Sequence, residues 1–251
     1  MTDRLTVLIT GATAGFGAAL ARAYAASGDR LVLIGRRTER LEALKAELGG
    51  EVHVVTLDVR DRAAVETAIA ALPAPFDAVD VLINNAGLAR GLNPAQSADL
   101  DDWDTMIDTN IKGVTYMARA VLPGMVARDR GHVINLGSVA GTYPYPGGNV
   151  YGGTKAFVHQ FSLNLRADLL GSNVRVTCIE PGMAETEFSL VRFSGDDSRA
   201  SKVYEGMTPM SADDIAGVIH WVTKMPRHVN VNTLELMPVM QAFNNFAIKR
   251  S

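Results

Sequence analysis

Short apolar runs rich in Val, Ile and Leu alternate along this chain with longer stretches in which apolar residues recur every three or four positions. The short runs predict buried strands, and the longer stretches predict amphipathic helices. Strands are predicted at about 6–10, 30–35, 52–57, 79–84, 132–136, 174–179 and 233–236. Helices are predicted at about 15–27, 38–48, 103–125, 151–170 and 213–224, with one more through 65–69 that ends before Pro73 and Pro75.

Strands that alternate with helices favour right-handed crossovers and a parallel sheet. The predicted strands are near-continuous apolar runs, as strands buried on both faces of a sheet must be. The pattern contains no internal repeat and no linker-like stretch. We therefore predict one domain over 1–251, an α/β doubly wound Rossmann fold with a seven-stranded parallel sheet and helices on both faces. A polar stretch within 183–206 predicts a mobile segment.

The composition narrows the class of partner. Of the 251 residues, 47% are hydrophobic and 20% are charged, and the formal net charge is -3. This balance, without a long basic run, argues against nucleic acid or an anionic membrane surface as a partner. No apolar stretch has the length of a membrane span and the N-terminus lacks a signal-peptide core, which predicts a cytoplasmic location. The single cysteine, Cys178, excludes an intramolecular disulfide and is predicted in a buried strand.

The most informative pair in the sequence is Tyr151 and Lys155, four residues apart in a predicted helix. Positions i and i+4 lie on one helix face. A phenol has a pKa of about 10, which an adjacent ammonium lowers by favouring the phenolate. The pair is therefore interpreted as an acid/base device for a hydroxyl or a carbonyl. The alternative is a helix that carries both residues by coincidence.

A glycine-rich turn follows the first predicted strand, in the run Thr10-Gly11-Ala12-Thr13-Ala14-Gly15-Phe16-Gly17. Glycines between a strand and a helix permit a tight turn and a close approach of the backbone to a pyrophosphate. The helix N-terminus adds free N–H groups and the positive end of the dipole. This turn predicts a dinucleotide site that includes Gly11, Thr13, Gly15, Phe16 and Gly17. The alternative is a purely structural turn.

The ends of the next strands indicate which dinucleotide binds. An NAD site usually offers a carboxylate after the second strand, whereas this chain offers Arg36 and Arg37. Two guanidiniums suit the 2′-phosphate of NADP. The alternative is an exposed basic start of a helix, and Glu39 is the nearest acid in the sequence. Further cofactor contacts are predicted after the third and fourth strands, at Asp58, Val59, Asn85, Ala86 and Gly87.

Asp58 has an alternative role. It follows the third strand, where its carboxylate would accept a hydrogen bond from the adenine amine, but an aspartate at this place also serves as the N-cap of a following helix. Asp61 competes with it for that N-cap position.

Taken together and in this order, these motifs resemble those of the short-chain dehydrogenase/reductase superfamily. The resemblance covers essentially the whole chain and rests on 10–17, 84–87, Asn110, Ser138, Tyr151 with Lys155, and Pro181-Gly182. It implies that Tyr151 gives a proton to a carbonyl or accepts one from an alcohol, and that Lys155 lowers the pKa of Tyr151 and holds the nicotinamide ribose. It implies that Ser138 hydrogen-bonds the substrate oxygen, and that Asn110 helps to hold a water connecting Lys155 to solvent.

The same resemblance implies further cofactor contacts at Pro181, Gly182, Met183 and Thr186. The cofactor is then NADP(H), and the hydride moves between it and the substrate carbon. No metal is expected, because the sequence presents no evident cluster of His, Cys and acidic residues.

A closer resemblance is to the NADP-dependent 3-hydroxy acid dehydrogenases, a group that includes serine and L-allo-threonine dehydrogenases that also reduce malonic semialdehyde. It rests on 11–17, 35–37, 151–157, 180–188, 191–193 and 232–239. It implies a substrate carboxylate, for which Arg192 is the candidate ligand. The alternative for Arg192 is a surface or subunit-interface arginine. The family resemblance also implies a homotetramer.

Two other functions remain open at this point. The first is a reductase of other carbonyls, such as 3-oxoacyl thioesters or xenobiotic ketones, because one fold serves many substrates. The second is a non-catalytic NADP(H)-binding sensor. The complete set of Ser138, Tyr151 and Lys155 argues against the sensor.

Overall fold

The computed structural model describes residues 4–193 and 195–243. Residues 1–3 and 244–251 of the predicted domain, and Ser194 of the predicted mobile segment, lie outside the described residues. The strands are β1 Thr6–Thr10, β2 Arg30–Gly35, β3 Val52–Thr56, β4 Val81–Asn84, β5 Gly131–Leu136, β6 Val174–Pro181 and β7 Thr233–Leu236. The helices are α1 Gly15–Ala26, α2 Thr38–Leu48, α3 Arg62–Ala70, α4 Leu100–Ile107, α5 Val114–Ala127, α6 Asn149–Asp168, α7 Glu187–Arg192, α8 Asp197–Lys202 and α9 Ala212–Thr223.

The strands form one seven-stranded sheet in the order β3-β2-β1-β4-β5-β6-β7, and every neighbouring pair is parallel. The predicted fold class is therefore confirmed. The order reverses beside β1, which lies between β2 and β4. In an open parallel sheet such a reversal opens a crevice at the carboxyl ends of the strands, where ligands bind.

The alternation of side chains along β1 divides the core between the two faces of the sheet. Val7 and Ile9 pack on one face with the buried residues of α1 and α9, including Tyr24 and Ile219. Leu8 packs on the other face with residues of α5 and α6. Because both faces are covered, the strands lack the alternation of apolar and polar residues found in half-exposed sheets.

The predicted helix over 103–125 is two helices joined by one π-helical turn, Asp108–Gly113. Gly113 closes this turn against the chain after β3, since a Cβ there would lie 2.7 Å from Cγ2 of Val59. Pro123 lies inside α5. Among smaller differences, β6 extends to Pro181 and β4 begins only at Val81.

Within the described chain, no helix combines the length and the apolar character that crossing a membrane requires.

Candidate active site

A cleft opens at the carboxyl ends of the strands, at the reversal of strand order. Most of the predicted site residues line it. They are Gly11, Thr13, Gly15, Phe16, Arg36, Arg37, Asp58, Val59, Asn85, Ala86, Gly87, Ser138, Tyr151, Lys155, Pro181, Gly182 and Thr186. The cleft also includes residues that the sequence did not single out, among them Leu88, Thr109, Glu187, Phe188 and Val191.

Four predicted residues are not among those that line the cleft: Gly17, Asn110, Met183 and Arg192. Gly17 is still required by the glycine-rich turn, because a Cβ at this position would overlap the carbonyl oxygen of Gly11. Gly11 and Gly15 have φ of 65° and 50°, in the region that favours glycine. The residue before α1, Ala14, gives its first turn no side-chain cap, so the free N–H groups of that turn suit a pyrophosphate.

The glycine-rich turn is fixed to the end of β4 by two polar residues. The Nδ2 of Asn85 donates to the carbonyls of Thr10 at 2.8 Å and Gly11 at 3.2 Å. The Oγ1 of Thr10 accepts from the backbone N–H groups of Asn85 and Ala86, at 3.0 and 2.9 Å. Asn85 is therefore a brace of the turn as well as a residue of the cleft.

The guanidiniums of Arg37 and Arg40, at the start of α2, already have partners within the protein. Arg37 donates to Oγ1 of Thr13 at 2.7 Å. The carboxylate of Glu187, from α7, lies 3.4 Å from Arg37 and 3.0 Å from Arg40. The expectation from the sequence, that Glu39 is the nearest acid, therefore missed an acid that the fold brings from far along the chain. Arg36 lines the cleft with an exposed side chain.

The structure gives different roles to the two aspartates that follow β3. Asp61 is the N-cap of α3 and accepts from the N–H of Ala64 at 3.0 Å. Asp58 lines the cleft and pairs with Arg60 at 2.6 Å, and the Arg60 guanidinium holds the pKa of Asp58 below its ordinary value. Asp58 thus borders the cleft with its carboxylate paired to Arg60, and the N-cap role belongs to Asp61.

Ser138, Tyr151 and Lys155 meet at the ends of β5 and α6. Nζ of Lys155 lies 5.8 Å from the centre of the Tyr151 ring and donates to the carbonyl of Leu136 at 2.7 Å. Burial lowers the pKa of Lys155 to about 8. Ser138 begins a short 3-10 turn, accepting from the N–H of Ala140 at 3.1 Å and donating to the carbonyl of Pro181 at 3.4 Å.

The pKa of Tyr151 differs from the expectation. Burial raises this pKa above its ordinary value, and the Arg192 guanidinium and a hydrogen bond with Ser138 act in the opposite direction. Lys155 was expected to supply the lowering charge. Among the described residues, the guanidinium of Arg192 supplies the lowering charge, and the ammonium of Lys155 donates to the Leu136 carbonyl.

Asn110 lies in the π-helical turn and is almost completely buried. Its side chain exchanges two hydrogen bonds with the backbone of Leu88, at 2.9 and 2.8 Å, and donates to Oγ1 of Thr154 at 3.0 Å. Asn110 thereby joins the segment after β4 to α6, one residue before Lys155. Thr154 is a supporting residue that the sequence did not single out.

Arg192 closes over Tyr151 from α7. Its Cζ lies 5.1 Å from the centre of the Tyr151 ring, 5.4 Å from that of Phe188 and 5.8 Å from that of Tyr145. One terminal nitrogen donates to the Tyr145 hydroxyl at 2.7 Å, and the Arg192 carbonyl accepts from the N–H of Gly91 at 3.1 Å. The Nε of Arg192 is buried and has no hydrogen-bond partner within the described chain.

Met183 is held away from the cleft by the C-terminal part of the chain. Its N–H donates to Oε1 of Gln241 at 2.7 Å, and its carbonyl accepts from the N–H of Met210 at 3.0 Å. The backbone N–H and carbonyl of Met183 are therefore both engaged within the protein.

A group of possible metal ligands lies beneath the site, although the sequence presented no evident cluster. The ligand atoms of His159, Cys178 and Glu180 lie within 4.8 Å of one another. Nδ1 of His159 is 2.6 Å from Oε1 of Glu180, and burial raises the pKa of the Cys178 thiol to about 12. A hydrogen-bonded His–Glu pair explains this arrangement without an ion.

A parallel sheet with this crevice, a glycine-rich turn and a tyrosine–lysine pair together define a nucleotide-dependent oxidoreductase. The chain belongs to the short chain dehydrogenase family, whose model matches residues 5–195.

Individual relatives are similar over nearly the full length. The chain is 59% identical over 248 residues to the NADP-dependent 3-hydroxy acid dehydrogenase YdfG of Salmonella typhi, covering 98% of this chain and 100% of that protein. It is 55% identical over 245 residues to the serine 3-dehydrogenase of Rhizobium radiobacter, covering 98% of each. The solved closed form of serine dehydrogenase complexed with NADP+ superposes with a TM-score of 0.94 at 55% identity, covering 98% of this chain and 99% of that one.

Proposed function

We propose that this enzyme is an NADP-dependent dehydrogenase that interconverts the 3-hydroxyl and 3-keto forms of small 3-hydroxy acids, such as L-allo-threonine, serine and 3-hydroxypropionate. One observation carries the choice of substrate: the guanidinium of the half-buried Arg192 lies beside Tyr151, and its buried Nε has no hydrogen-bond partner within the described chain. A buried N–H without an acceptor is unfavourable, and a carboxylate is the anion that the planar fork of the guanidinium fits best. The names of the relatives are consistent with this choice.

The cofactor NADP(H) fits the cleft from one end to the other. The uncapped start of α1 suits the pyrophosphate, and Arg36 with Arg37 suits the 2′-phosphate. Asp58 and Val59 border the place of the adenine, and Pro181, Gly182 and Thr186 border that of the nicotinamide. When bound, the nicotinamide gives or takes the hydride. The likeness to a serine dehydrogenase complexed with NADP+ supports this assignment.

The proton is moved by Tyr151. During reduction its hydroxyl gives a proton to the developing alkoxide, and during oxidation its phenolate accepts the proton of the alcohol. Ser138, already polarised by its contact with Ala140, donates a hydrogen bond to the same substrate oxygen. Lys155 carries a positive charge at neutral pH, since its pKa is about 8, and holds the nicotinamide ribose. Asn110 positions α6 through Thr154.

The substrate carboxylate binds Arg192. Tyr145 fixes one end of the guanidinium, and the Gly91 N–H fixes the backbone, so the Nε side remains for a ligand. A 3-hydroxy acid carries its carboxylate two carbons from the reacting carbinol, so Tyr151 and the neighbouring Arg192 would act on the two ends of one small molecule. Longer thioesters have no anion at that position.

The test is a substrate panel with purified protein and NADP+ or NADPH. We expect kcat/KM for L-allo-threonine, 3-hydroxypropionate and malonic semialdehyde to exceed that for 3-oxoacyl thioesters and for uncharged ketones. A preference of tenfold or more for a 3-oxoacyl thioester would replace this function by the reductase alternative. Absence of turnover for every carbonyl, with intact NADPH binding, would favour the sensor.

Three properties of the whole molecule accompany this proposal. We infer a homotetramer, because α5 and α6 present exposed Val126, Phe157 and Leu163, which a subunit interface would cover. We infer that 183–193 and 195–206, with the short helices α7 and α8, move to admit substrate. The cytoplasm is the proposed location, since NADP(H) is found there. Light scattering tests the oligomeric state. Hydrogen exchange with and without NADP+ tests the motion of the segment, and cell fractionation tests the location.

A further inference from the structure

Arg192 and Lys155 both place a positive charge near Tyr151, at different distances. Cζ of Arg192 lies 5.1 Å from the centre of the Tyr151 ring, and Nζ of Lys155 lies 5.8 Å from it. The two charges have different surroundings, because Lys155 is directed to the Leu136 carbonyl whereas Arg192 keeps an unpartnered Nε. Only the charge on Arg192 is therefore open to neutralisation by an incoming anion.

The other groups that act on Tyr151 carry no charge at neutral pH. They are Ser138 at the end of β5, Tyr145 before α6, Phe188 in α7 and Tyr204 after α8. The two cations thus account for the net charge at the Tyr151 ring among the described residues. Any change in the charge of Arg192 must alter the balance between phenol and phenolate.

We propose that Arg192 is both the carboxylate ligand and the charge that sets the acidity of Tyr151, so that a bound substrate carboxylate shifts Tyr151 toward its protonated form. This inference rests on the proposed function, which places a carboxylate on Arg192. The Tyr145 hydroxyl holds the guanidinium in the position where it serves both roles. Arg192 thus affects proton transfer indirectly: it is a positioning residue whose charge changes the pKa of Tyr151.

The chemical consequence is that the charge of the substrate adjusts the acidity of Tyr151. Without a carboxylate, the positive charge of Arg192 opposes the burial that raises the pKa of Tyr151. With a carboxylate bound, the ion pair neutralises this cation, and the pKa of Tyr151 rises further. A carbonyl compound that lacks the carboxylate therefore loses affinity and also meets a Tyr151 of different acidity. Specificity then resides in the chemical step as well as in binding.

The direct experiment titrates Tyr151 in the NADP+ complex by tyrosinate absorbance, as the difference between the unmodified enzyme and Tyr151→Phe. Saturating propionate serves as an unreactive carboxylate, and propionamide serves as its uncharged analogue. We expect propionate to raise the midpoint of the phenolate titration by about one pH unit and propionamide to leave it unchanged. The bound NADP+ contributes the same charge in the titrations with propionate and with propionamide, so the difference between the two midpoints does not depend on it.

Variants separate the charge from the shape of Arg192. In Arg192→Gln we expect the same midpoint with propionate and with propionamide, whereas Arg192→Lys keeps part of the propionate shift. Arg22→Gln, a change on α1 at a residue paired with Glu47, is the matched control and retains the full shift. Tyr145→Phe removes one hydrogen bond and reduces the shift, because the guanidinium is then less well placed.

Kinetics supply a second readout. In the oxidation direction, the acid limb of kcat for 3-hydroxybutyrate should lie at higher pH than that for its methyl ester, because kcat reports groups in the ternary complex. Equal titration midpoints with propionate and propionamide, alongside a retained kcat/KM preference for acids, would overturn the coupling and leave the proposed function intact. Equal kcat/KM for acid and ester would overturn the carboxylate site itself.

Discussion

The carboxylate of Glu187 lies 3.0 Å from the guanidinium of Arg40 and 3.4 Å from that of Arg37, joining the first turn of α7 to α2 beside the proposed 2′-phosphate site. An acid at this place competes with a phosphate for the same arginines. It also ties the segment proposed to close over the substrate to the adenosine end of the cleft. The cost of the competition is modest, because all three side chains are about half exposed and exposed ion pairs contribute little.

Glu187→Gln should therefore tighten NADP+ binding. We expect its Kd to fall about twofold to fivefold, which corresponds to roughly 0.5–1 kcal/mol for an exposed charge pair. The Kd of NAD+, which lacks the phosphate, should remain unchanged. Isothermal titration at low salt measures both constants. Glu66→Gln removes the partner of Arg62 on α3 and is the matched control. A weaker NADP+ complex in Glu187→Gln would mean that Glu187 serves the cofactor by closing α7.

Arg36→Asp should change the choice of cofactor. Arg36 lines the cleft, so replacing it with an acid places a negative charge opposite the 2′-phosphate of NADPH. We expect kcat/KM with NADPH to fall by about tenfold to a hundredfold, in line with the loss of a charge-assisted contact. The value with NADH should change much less. Arg62→Asp, on the exposed start of α3, tests the general effect of the charge reversal.

Equal efficiency with NADPH and NADH in the unmodified enzyme would remove Arg36 from cofactor selection. A parallel loss with both cofactors in Arg36→Asp would instead indicate damage to the whole dinucleotide site. Arg62→Asp should leave both values unchanged.

The sequence predicted those parts of the site whose residues are close neighbours in the chain. Tyr151 and Lys155 are one helical turn apart, and Gly11, Gly15 and Gly17 belong to one strand-to-helix turn, so local geometry alone brings them together. The parallel sheet covered on both faces also followed from the alternation of strands and helices, because such connections are crossovers that place helices on the faces of the sheet.

The sequence could not predict contacts between distant segments. Glu187 meets Arg40 across 147 positions, and Arg192 meets Tyr145 across 47, and no periodic pattern announces either contact. The π-helical turn at Asn110 was missed for a related reason, since it depends on the packing of Gly113 against Val59. The charge beside Tyr151 could not be predicted from the sequence either, because it depends on where Arg192 and Lys155 lie in the folded protein.

Tyr151→Phe should abolish turnover and preserve cofactor binding. The change removes only the hydroxyl, and the ring contacts with Phe188 and Arg192 persist. We expect kcat to fall by about a hundredfold to ten-thousandfold, the usual contribution of a positioned acid or base. The Kd of NADPH, measured by fluorescence, should change less than threefold, as a rough bound for an intact site.

Tyr143→Phe is the matched control for this variant. Tyr143 is close in sequence, but its hydroxyl donates to Glu235 at 3.2 Å and its ring faces Phe243, outside the residues that line the cleft. We expect full activity in Tyr143→Phe. Turnover in Tyr151→Phe at the level of the unmodified enzyme would exclude Tyr151 from proton transfer.

The buried ammonium of Lys155 should make the stability of the cofactor-free enzyme depend on pH. Burial lowers the pKa of Lys155 from 10.5 to about 8, so between these values the unfolded chain binds the proton that the folded protein has released. The free energy of unfolding therefore rises with pH across this window, by up to roughly 1.4 kcal/mol per pH unit, and below pH 8 the folded state bears the full cost of the buried charge.

Lys155→Met removes that charge and keeps an unbranched side chain in the same space. At pH 7.5 we expect the variant to unfold at a higher temperature than the unmodified enzyme, and we expect the difference to shrink as the pH approaches 10. Calorimetry of the two proteins over pH 7–10 measures the difference, and Lys45→Met on the exposed side of α2 controls for loss of a surface lysine. Parallel curves for the unmodified enzyme and Lys155→Met would mean that Lys155 keeps its ordinary affinity for the proton, and that water reaches its ammonium in the folded protein.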